Sequence, residues 1–348
     1  MRKIKVIQVG VLHDHAIFTF RSLMRNTDCF EVLGLCIPDE DERAGLESNK
    51  AKAEYLQVPI LSLEEALNFE GLEAVAVESA ETSATKYAQM FADKGVAIHI
   101  DKPGTADYDS FSKLVETLRA KKLCFHLGYM YRYNPMVKKA LEMAKEGKFG
   151  DIYSVEAHMS VRHEASKHKW LKQFKGGMMY FLGCHDIDLV VRFMGEPKKV
   201  TPFNRPTLQN GFECDDLGFA VLEYDNGVSF VKSCAAEFNG FARRQLVICG
   251  TKATMLINPL EEHKPDKHFG EQREEARAIY TDYEVESAQK GNWYDSHIDM
   301  EPVQFPRYDE MMREFASIIS GDMENPNSYD YELMVFKTVL RCCGVIKD

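Results

Sequence analysis

The sequence lacks any apolar run of membrane-spanning length. No window approaches the roughly 20 apolar residues that cross a bilayer. The first residues, which are soon interrupted by Gln8, do not resemble a signal peptide. The nine cysteines are scattered and include no C-x-x-C pair, so they indicate reduced thiols rather than a disulfide framework. We therefore expect a cytoplasmic protein with no membrane partner.

Basic charge is also scarce. The chain has 43 Lys and Arg against 54 Asp and Glu, which gives a net charge of −11. Nucleic-acid binding needs a basic face, so this balance argues against a nucleic-acid partner. The length of 348 residues exceeds one typical core and predicts two domains.

Glycine is missing where a dinucleotide-binding loop needs it most. Lys3 to Val9 predicts a strand that ends at Gly10, and a helical pattern follows. A strand, a glycine turn and a helix are the usual opening of a dinucleotide-binding unit. The G-x-G-x-x-G pattern would place its other glycines at Leu12 and His15, so the motif by itself is a weak signal.

The stretch from Val96 to Pro103 carries the clearest chemical signal. It is a short apolar run that ends in Asp101, Lys102 and Pro103, and proline does not continue a central strand. Lys102 therefore lies at the carboxyl end of a strand, where ligands bind in open α/β sheets. A lysine beside a carboxylate suits proton transfer. On position alone, a solvated surface lysine is the commoner case.

Strand and helix patterns alternate from residue 3 to about 127. They predict an α/β fold, with a Rossmann doubly wound parallel sheet in residues 1–127. After Gly128, a strand with period 2 and two hairpins predict an α+β domain at 128–348 with a large, mostly antiparallel open sheet. We interpret Glu261 to Ala288 as an exposed excursion. Two closing helices, within residues 308–348, pack on the first or the second domain.

An acidic residue after the second strand bears on the choice of cofactor. Phe30 to Ile37 is an apolar run, and Asp39 follows it as a candidate for binding the ribose hydroxyls. No Lys or Arg comes before Arg43, so a 2′-phosphate would meet mostly negative charge. This pattern favours NAD over NADP, although an acidic turn in solvent is equally consistent with it.

A histidine in the second half has a carboxylate one helical turn away. His185, Asp188 and Arg192 share one face of a predicted helix, and Ile187 and Val190 lie on its apolar stripe. Such a pair suits acid–base chemistry near neutral pH. The alternative is a histidine that caps the helix or is satisfied in the interior, which is the commoner role of a lone histidine.

Three segments in succession carry a resemblance to a known family. They are Asp101-Lys102-Pro103 at a strand end, Gly128 to Pro135, and Gly177 to Asp188. Together they resemble the Gfo/Idh/MocA family, which includes glucose–fructose oxidoreductase and inositol dehydrogenase. The resemblance spans essentially the whole chain. It implies a Rossmann domain that binds NAD or NADP, a second domain that holds a sugar or cyclitol, and assembly into a homodimer or homotetramer.

The resemblance also implies roles for individual residues. Lys102 would contact the reacting hydroxyl, and His185 would be the acid–base residue. The implied cofactor-binding residues are Gly10, His13, His15, Asp39, Ser79, Glu81 and Lys102. The implied substrate-binding residues are Tyr131, Arg132, His158 and Asp188.

We therefore predict an NAD(P)-dependent oxidoreductase that transfers a hydride between a nicotinamide cofactor and a sugar, cyclitol or related polyol. One alternative is a glycoside-cleaving enzyme that oxidises its substrate transiently and retains NAD. Another is a non-catalytic sugar-binding or regulatory protein, which the altered glycine loop and Phe181 suggest. His13 and His15, which flank Asp14, and His163 and His168 are candidate metal ligands, but loop histidines near a pyrophosphate or sugar are the simpler account. His163, Glu164 and His168 also do not fit the H-E-x-x-H spacing, so no metal site is predicted.

Overall fold

The structure is a computed structural model that describes residues 2–265, 272–288 and 296–348. The chain divides into two compact units. The first comprises Met1–Tyr129 with Tyr308–Leu333, and the second comprises Met130–Arg307 with Met334–Asp348.

Helices and strands alternate through the first unit and give way to long strands in the second. The helices are α1 (Ala16–Arg25), α2 (Glu40–Ser48), α3 (Lys52–Tyr55), α4 (Leu63–Leu67), α5 (Ala84–Asp93), α6 (Tyr108–Lys121), α7 (Pro135–Lys145), α8 (Ala165–Leu171), α9 (Gly177–Phe181), α10 (Gly183–Met194), α11 (Tyr283–Ala288), α12 (Asp309–Ser320) and α13 (Tyr329–Cys342). The strands are β1 (Ile4–Val9), β2 (Phe30–Cys36), β3 (Ile60–Leu61), β4 (Ala74–Val77), β5 (Ala97–Ile100), β6 (Phe125–Leu127), β7 (Ile152–Ser160), β8 (Lys199–Pro202), β9 (Leu217–Tyr224), β10 (Gly227–Cys234), β11 (Gln245–Gly250), β12 (Ala253–Ile257), β13 (Glu262–Pro265), β14 (Gln272–Asp282) and β15 (Ile298–Gln304).

The first unit is built on a parallel sheet of six strands in the order β3-β2-β1-β4-β5-β6. The central strands β4 and β5 are buried at every residue, as expected for continuous apolar runs covered on both faces. Strand order reverses between β1 and β4, which is where open α/β sheets bind ligands. The predicted Rossmann sheet is therefore confirmed.

Gly10 ends β1 in a conformation that favours glycine. Its φ is +85°, and a Cβ added there would lie 2.6 Å from the Cα of Ser79. The loop after β1 and the loop after β4 therefore touch at this residue. A side chain at position 10 would force the two loops apart.

The second unit is built on a larger sheet of nine strands. Its order is β13-β14-β12-β11-β7-β10-β9-β8, and β15 pairs with β14. Only β7 and β10 pair in parallel among the described strand pairs of this sheet, so the predicted mostly antiparallel sheet is confirmed. The two predicted hairpins are β9–β10 and β11–β12.

The predicted exposed excursion from Glu261 to Ala288 is wrong for β13 and β14, which belong to the second sheet. Residues 266–271 lie outside the described residues, and α11 has no buried residue, as predicted. The 11 residues of β14 pair with β12, β13 and β15. Ala276 and Ala278 of β14 are buried, and Glu261 is buried at the start of the segment. Small and charged residues dominate β14, so its apolar pattern was too weak to predict a strand.

Helix α10 is the element that brings polar side chains into the second unit. Every residue from Gly183 to Val191 is buried, and the helix packs on β7 and β10. The side chains of His185, Asp186 and Asp188 therefore lie in the interior of this unit. In the described part of the chain, no helix is both long enough and apolar enough to span a membrane.

Candidate functional site

The carboxyl ends of the first unit's central strands carry five ionisable side chains, called here the strand-end cluster. Four of them are buried, and His15 is half-buried. Nε2 of His13 lies 3.6 Å from Oδ1 of Asp101 and 3.6 Å from Oε1 of Glu81. Nδ1 of His13 lies 3.6 Å from Oε2 of Glu78, and Nδ1 of His15 lies 3.1 Å from Oδ1 of Asp101. Loops that follow β1, β4 and β5 thus converge on one point.

The charges of the strand-end cluster shift the acidity of its members. Burial alone would lower the pKa of His13, but Asp101, Glu78 and Glu81 together raise it to about 9. Burial would raise the pKa of Asp101, but His13 and His15 hold it well below its usual range. For His15 burial prevails, and its pKa is lowered. The cluster therefore carries a strong negative field that draws a positive charge onto His13.

Lys102 follows Asp101 directly and is 1% exposed. Its backbone N–H donates to Oδ1 of Asp101 at 2.7 Å, and its carbonyl oxygen lies 3.2 Å from Nε2 of His13. Its positive charge opposes the protonation of His13 and His15 and so acts to lower the pKa of each. The alternative of a solvated surface lysine is wrong, since almost none of this side chain reaches solvent.

The loop after β1 offers backbone N–H groups that one side chain already occupies. Oε2 of Glu42, on α2, accepts from the N–H groups of Val11 and Leu12 at 2.6 Å and 3.0 Å. Its other oxygen accepts from the N–H of Ala80 at 3.0 Å. Burial raises the pKa of Glu42 to about 7, although the three N–H groups favour the carboxylate. Sequence analysis missed this residue, which gave no signal in an acidic helix start.

Both carboxylate oxygens of Asp39 accept hydrogen bonds from residues of the first unit. One oxygen accepts from the N–H of Glu42 at 2.8 Å and so caps α2, and the other accepts from the hydroxyl of Tyr87. Its predicted role in ribose binding stays a prediction, and both of its oxygens carry hydrogen bonds within the unit. Ser79 packs against Gly10, and its buried hydroxyl has no hydrogen-bond partner among the residues described.

In the second unit, His185 lies against Tyr131. The two rings meet edge to face with centroids 5.0 Å apart, and both side chains are buried. The neighbouring carboxyl of Asp186 is also buried, and burial raises its pKa well above the usual range. The burial of Asp186 beside His185 was not predicted, because the helical pattern alone did not show that this face is closed to water.

Arg132 and Asp188 form a buried ion pair next to this histidine. Nη2 and Nε of Arg132 donate to the carboxylate of Asp188 at 2.6 Å and 3.1 Å, and Arg192 approaches it at 3.4 Å. Buried pairs of this kind hold side chains in fixed positions when both charges are satisfied. The structure thus brings together four of the predicted second-unit residues: Tyr131, Arg132, His185 and Asp188.

Tyr131 is held by a second buried ion cluster. Its hydroxyl donates to Glu261, whose carboxylate also accepts from Arg244 at 2.5 Å and from Nε of Arg307 at 2.7 Å. Burial would raise the pKa of Glu261, but Arg307 and Arg244 lower it to about 2. These three residues escaped sequence analysis because they are far apart in the chain.

His158 belongs to a different set of contacts. Its Nε2 lies 2.9 Å from the hydroxyl of Ser160 and 3.5 Å from Glu237, which also pairs with Lys232 at 3.0 Å. Burial, with Lys232, lowers the pKa of His158. These contacts differ from those of Tyr131, Arg132, Asp188 and His185, and the substrate role of His158 stays a prediction.

A six-stranded Rossmann sheet with polar groups at its strand ends, followed by a large open sheet, defines a two-domain oxidoreductase architecture. The chain belongs to the GFO/IDH/MocA family. Residues 5–129 match the family model described as an oxidoreductase family with an NAD-binding Rossmann fold. Residues 137–256 match the model of the GFO/IDH/MocA C-terminal domain.

Individual relatives are distant. An uncharacterized oxidoreductase from Escherichia coli, YhhX, is 27% identical over 185 residues, which are 51% of this chain and 53% of YhhX. The chain thus spans about half the length of this relative. Among solved structures, an aldose–aldose oxidoreductase from Caulobacter crescentus has a TM-score of 0.76 at 14% identity, with 99% and 97% of the two chains covered. UDP-N-acetylglucosamine 3-dehydrogenase from Acidithiobacillus ferrooxidans has a TM-score of 0.74 at 15% identity, with 100% and 99% covered.

The cofactor that this family implies is a nicotinamide dinucleotide. The backbone N–H groups of Val11, Leu12 and Ala80 converge on one carboxylate, so they form a site for an anion. This donor set would suit the pyrophosphate of such a cofactor if Glu42 moved away. The second glycine position is filled by Leu12, which packs against Gly45.

Proposed function

We propose that the protein is an NAD(P)-dependent oxidoreductase that transfers a hydride between the nicotinamide and a CH–OH carbon of a sugar, cyclitol or related polyol. The observation that carries the proposal is the buried Lys102, held beside Asp101 at the carboxyl end of β5 in an NAD-binding Rossmann family. A lysine in that place suits the transfer of a hydroxyl proton. The acidic end of α2 and the lack of a nearby basic residue before Arg43 favour NAD over NADP.

The chain's own residues bind the substrate and move its proton. When bound, the nicotinamide supplies the hydride acceptor for alcohol oxidation and the donor for the reverse reaction. Lys102 contacts the reacting hydroxyl, and Lys102 and His185 relay its proton. Tyr131, Arg132 and Asp188 bind hydroxyl groups of the substrate, since their positions are fixed by the ion pairs around them.

The N–H groups of Val11, Leu12 and Ala80 bind the pyrophosphate after Glu42 has moved out. An anion then replaces an anion, and the loop keeps its hydrogen bonds. The residues proposed to surround the bound pyrophosphate are His13, His15, Ser79 and Glu81. Dinucleotide binding therefore depends on how the carboxylates of the strand-end cluster are neutralised.

The substrate class rests on the family and on the second unit. Two proteins with this fold are named for carbohydrate substrates, an aldose and a nucleotide sugar. Buried carboxylate, guanidinium and phenol groups on one side of α10 are the groups that bind hydroxyl-rich ligands.

A second candidate function is ligand binding without catalysis. The observation that favours it is the occupied loop, in which Glu42 and Asp39 already satisfy the groups that a dinucleotide would use. In that case the second unit would still bind a sugar, and the first unit would have no cofactor.

Calorimetric titration of the purified, cofactor-stripped full chain with NAD, NADH, NADP and NADPH separates these functions. Micromolar binding of the NAD pair supports the oxidoreductase and leads to a screen of sugars and polyols for hydride transfer. Absence of binding by all four, with the fold shown intact by circular dichroism, would overturn it in favour of ligand binding alone.

A further inference from the structure

The strand-end cluster gathers buried carboxyl groups around one imidazole. Glu78, Glu81 and Asp101 each bring a carboxyl oxygen to 3.6 Å from a ring nitrogen of His13. Burial of unbalanced charge is costly, because the interior screens it weakly. A divalent cation held between these groups would offset their negative charge.

The spacing of the cluster suits metal coordination. One ligand atom from each of His13, His15 and Asp101 lies within 4.8 Å of the others. Nδ1 of His15 and Nε2 of His13 lie 3.1 Å and 3.6 Å from Oδ1 of Asp101. Ligands at about 2.1 Å from a tetrahedral ion are separated by about 3.4 Å, so these distances are those of one coordination shell.

A carboxylate behind His13 completes the arrangement. Neither oxygen of Glu78 accepts a hydrogen bond from any residue that the structure describes, and the side chain is fully buried. One oxygen lies 3.6 Å from Nδ1 of His13. Metal-bound histidines commonly donate their other ring N–H to a carboxylate, which fixes the ring and its tautomer.

We propose that His13, His15 and Asp101 bind a divalent transition-metal ion, with Glu81 as the fourth ligand. Two imidazole nitrogens and carboxylate oxygens are the ligand set that Zn²⁺ and neighbouring divalent ions share. The ion takes Nε2 of His13, and Glu78 accepts the proton on Nδ1. The backbone N–H of His15, 3.2 Å from that Nδ1 in this structure, then turns away from it.

Sequence analysis considered His13 and His15, which flank Asp14, as metal ligands and preferred a role beside a pyrophosphate or sugar. Asp101 is 86 residues away from His15, and the fold brings it to the pair. A bound ion would offset the carboxylates beside the loop of Val11 and Leu12. The same loop could then receive a second anion with less repulsion.

The experiment uses the untagged full chain, stripped with a chelator and free of dinucleotide. Zn²⁺ binding is measured by calorimetry and Co²⁺ binding by visible absorption. We expect one ion per chain and visible bands of a tetrahedral or five-coordinate cobalt.

Variants identify the ligands. His15→Ala and Asp101→Asn should each weaken binding at least tenfold. His297→Ala is the control and should not weaken binding. It also removes a histidine beside an aspartate, 3.8 Å from Asp299, but this pair belongs to the second unit. Absence of stoichiometric binding, or equal binding by wild type and His15→Ala, would overturn the proposal.

A ligand exchange covers the case in which these variants fail to fold. His15→Cys keeps a donor atom at position 15, and a coordinated thiolate gives cobalt an intense near-ultraviolet charge-transfer band. The band is expected for His15→Cys and not for wild type, although wild type already contains cysteines such as Cys36, which is outside the cluster. Cobalt bound without the new band would show that residue 15 is not a ligand.

Discussion

Glu42 shows how a single side chain can take the place of a ligand. It holds three backbone N–H groups of two loops while being almost fully buried. Because burial raises its pKa to about 7, a proton competes with the N–H groups for this carboxylate near neutrality. Occupation of the loop is therefore expected to depend on pH.

Replacement of Glu42 should strengthen dinucleotide binding. In Glu42→Ala the three N–H groups have only water as partner, so the pyrophosphate no longer has to displace charge-assisted hydrogen bonds. We expect affinity for NAD to rise about tenfold, which corresponds to about 1.4 kcal/mol. Calorimetric titration of Glu42→Ala and wild type with NAD measures this difference in affinity.

Glu40→Ala is the matched control, since it removes the same charge from the exposed start of the same helix. An equal gain in both variants would mean a general charge effect. Protonation neutralises Glu42 below pH 7, so wild-type affinity should increase from pH 8 to pH 6. The profile of Glu42→Ala should be flatter over the same interval.

Lys102 is expected to act on turnover rather than on cofactor binding. Lys102→Ala removes the proton-transfer group, for which losses of about 100-fold or more are typical. The N–H of residue 102 still donates to Asp101, so dinucleotide affinity should stay close to that of wild type. Steady-state rates with the identified substrate test this, and Lys113→Ala on the exposed face of α6 is the control. Wild-type rates in Lys102→Ala would remove Lys102 from the chemistry.

At the scale of elements, Glu261, which directly precedes β13, connects this part of the second sheet to the 3-10 helix Met130–Tyr133. Its carboxylate accepts from Arg244, Arg307 and the phenol of Tyr131. The arginines lower the pKa of Glu261 from 4.5 to about 2 despite burial. This group therefore stabilises the folded state above pH 4.5, and the contribution is lost as pH falls towards 2.

Glu261→Gln should destabilise the second unit strongly at neutral pH. At about 1.4 kcal/mol for each tenfold change in acidity, the lowered pKa contributes about 3 kcal/mol, and two buried arginines also lose their counter-charge. Urea unfolding at pH 7 measures the loss.

The same difference should shrink between pH 4.5 and pH 2, where wild type also loses the carboxylate. Glu223→Gln is the comparison, because it breaks an ion pair with Lys199 that is exposed to solvent. We expect it to cost less than about 1 kcal/mol. A loss in Glu261→Gln that stayed constant with pH would contradict an electrostatic origin.

Periodic elements were well predicted, and β14 was not. Phe111, Leu114, Val115 and Leu118 recur at helical spacing in the sequence and are buried in α6, and the S-x-x-E pattern of Ser62 and Glu65 forms the capping box of α4. These signals are local, so the sequence states them directly. Strand β14 has little apolar pattern of its own, and its pairing with β12 and β15 decides its structure.

At the scale of the whole molecule, the open sheet of the second unit leaves apolar residues half-exposed. Phe203, Phe219 and Phe230 form a row, with ring centroids 6.1 Å and 5.7 Å apart, and Val228 is 50% exposed. We propose that a second copy of the chain covers this row, in a homodimer or homotetramer.

Charges in the row should therefore dissociate the assembly. Phe203→Asp combined with Val228→Asp places two carboxylates on each copy's face, and they repel those of the partner. Light scattering after gel filtration is expected to show a dimer or tetramer for wild type and a monomer for this variant. Tyr283→Asp, an exposed aromatic of α11 outside the row, should leave the mass unchanged. A wild-type monomer would contradict the prediction.

The sequence by itself determined the architecture. Alternation of apolar strands and amphipathic helices predicts the Rossmann sheet, and period-2 strands with tight turns predict the second sheet, because both patterns are local consequences of backbone geometry. It also singled out Lys102, from a strand that ends at a proline, and His185, from its place in a helix. Those inferences needed only neighbours in the chain.

The tertiary structure decided which groups share a site. Glu42 meets Val11 across 31 residues, Asp101 meets His15 across 86, and Glu261 meets Tyr131 across 130. None of these pairs has a sequence signal, because an isolated carboxylate looks the same in an exposed turn and in a buried cluster. Burial and the distance to a partner give each carboxylate its charge state, and both arise only when the chain has folded.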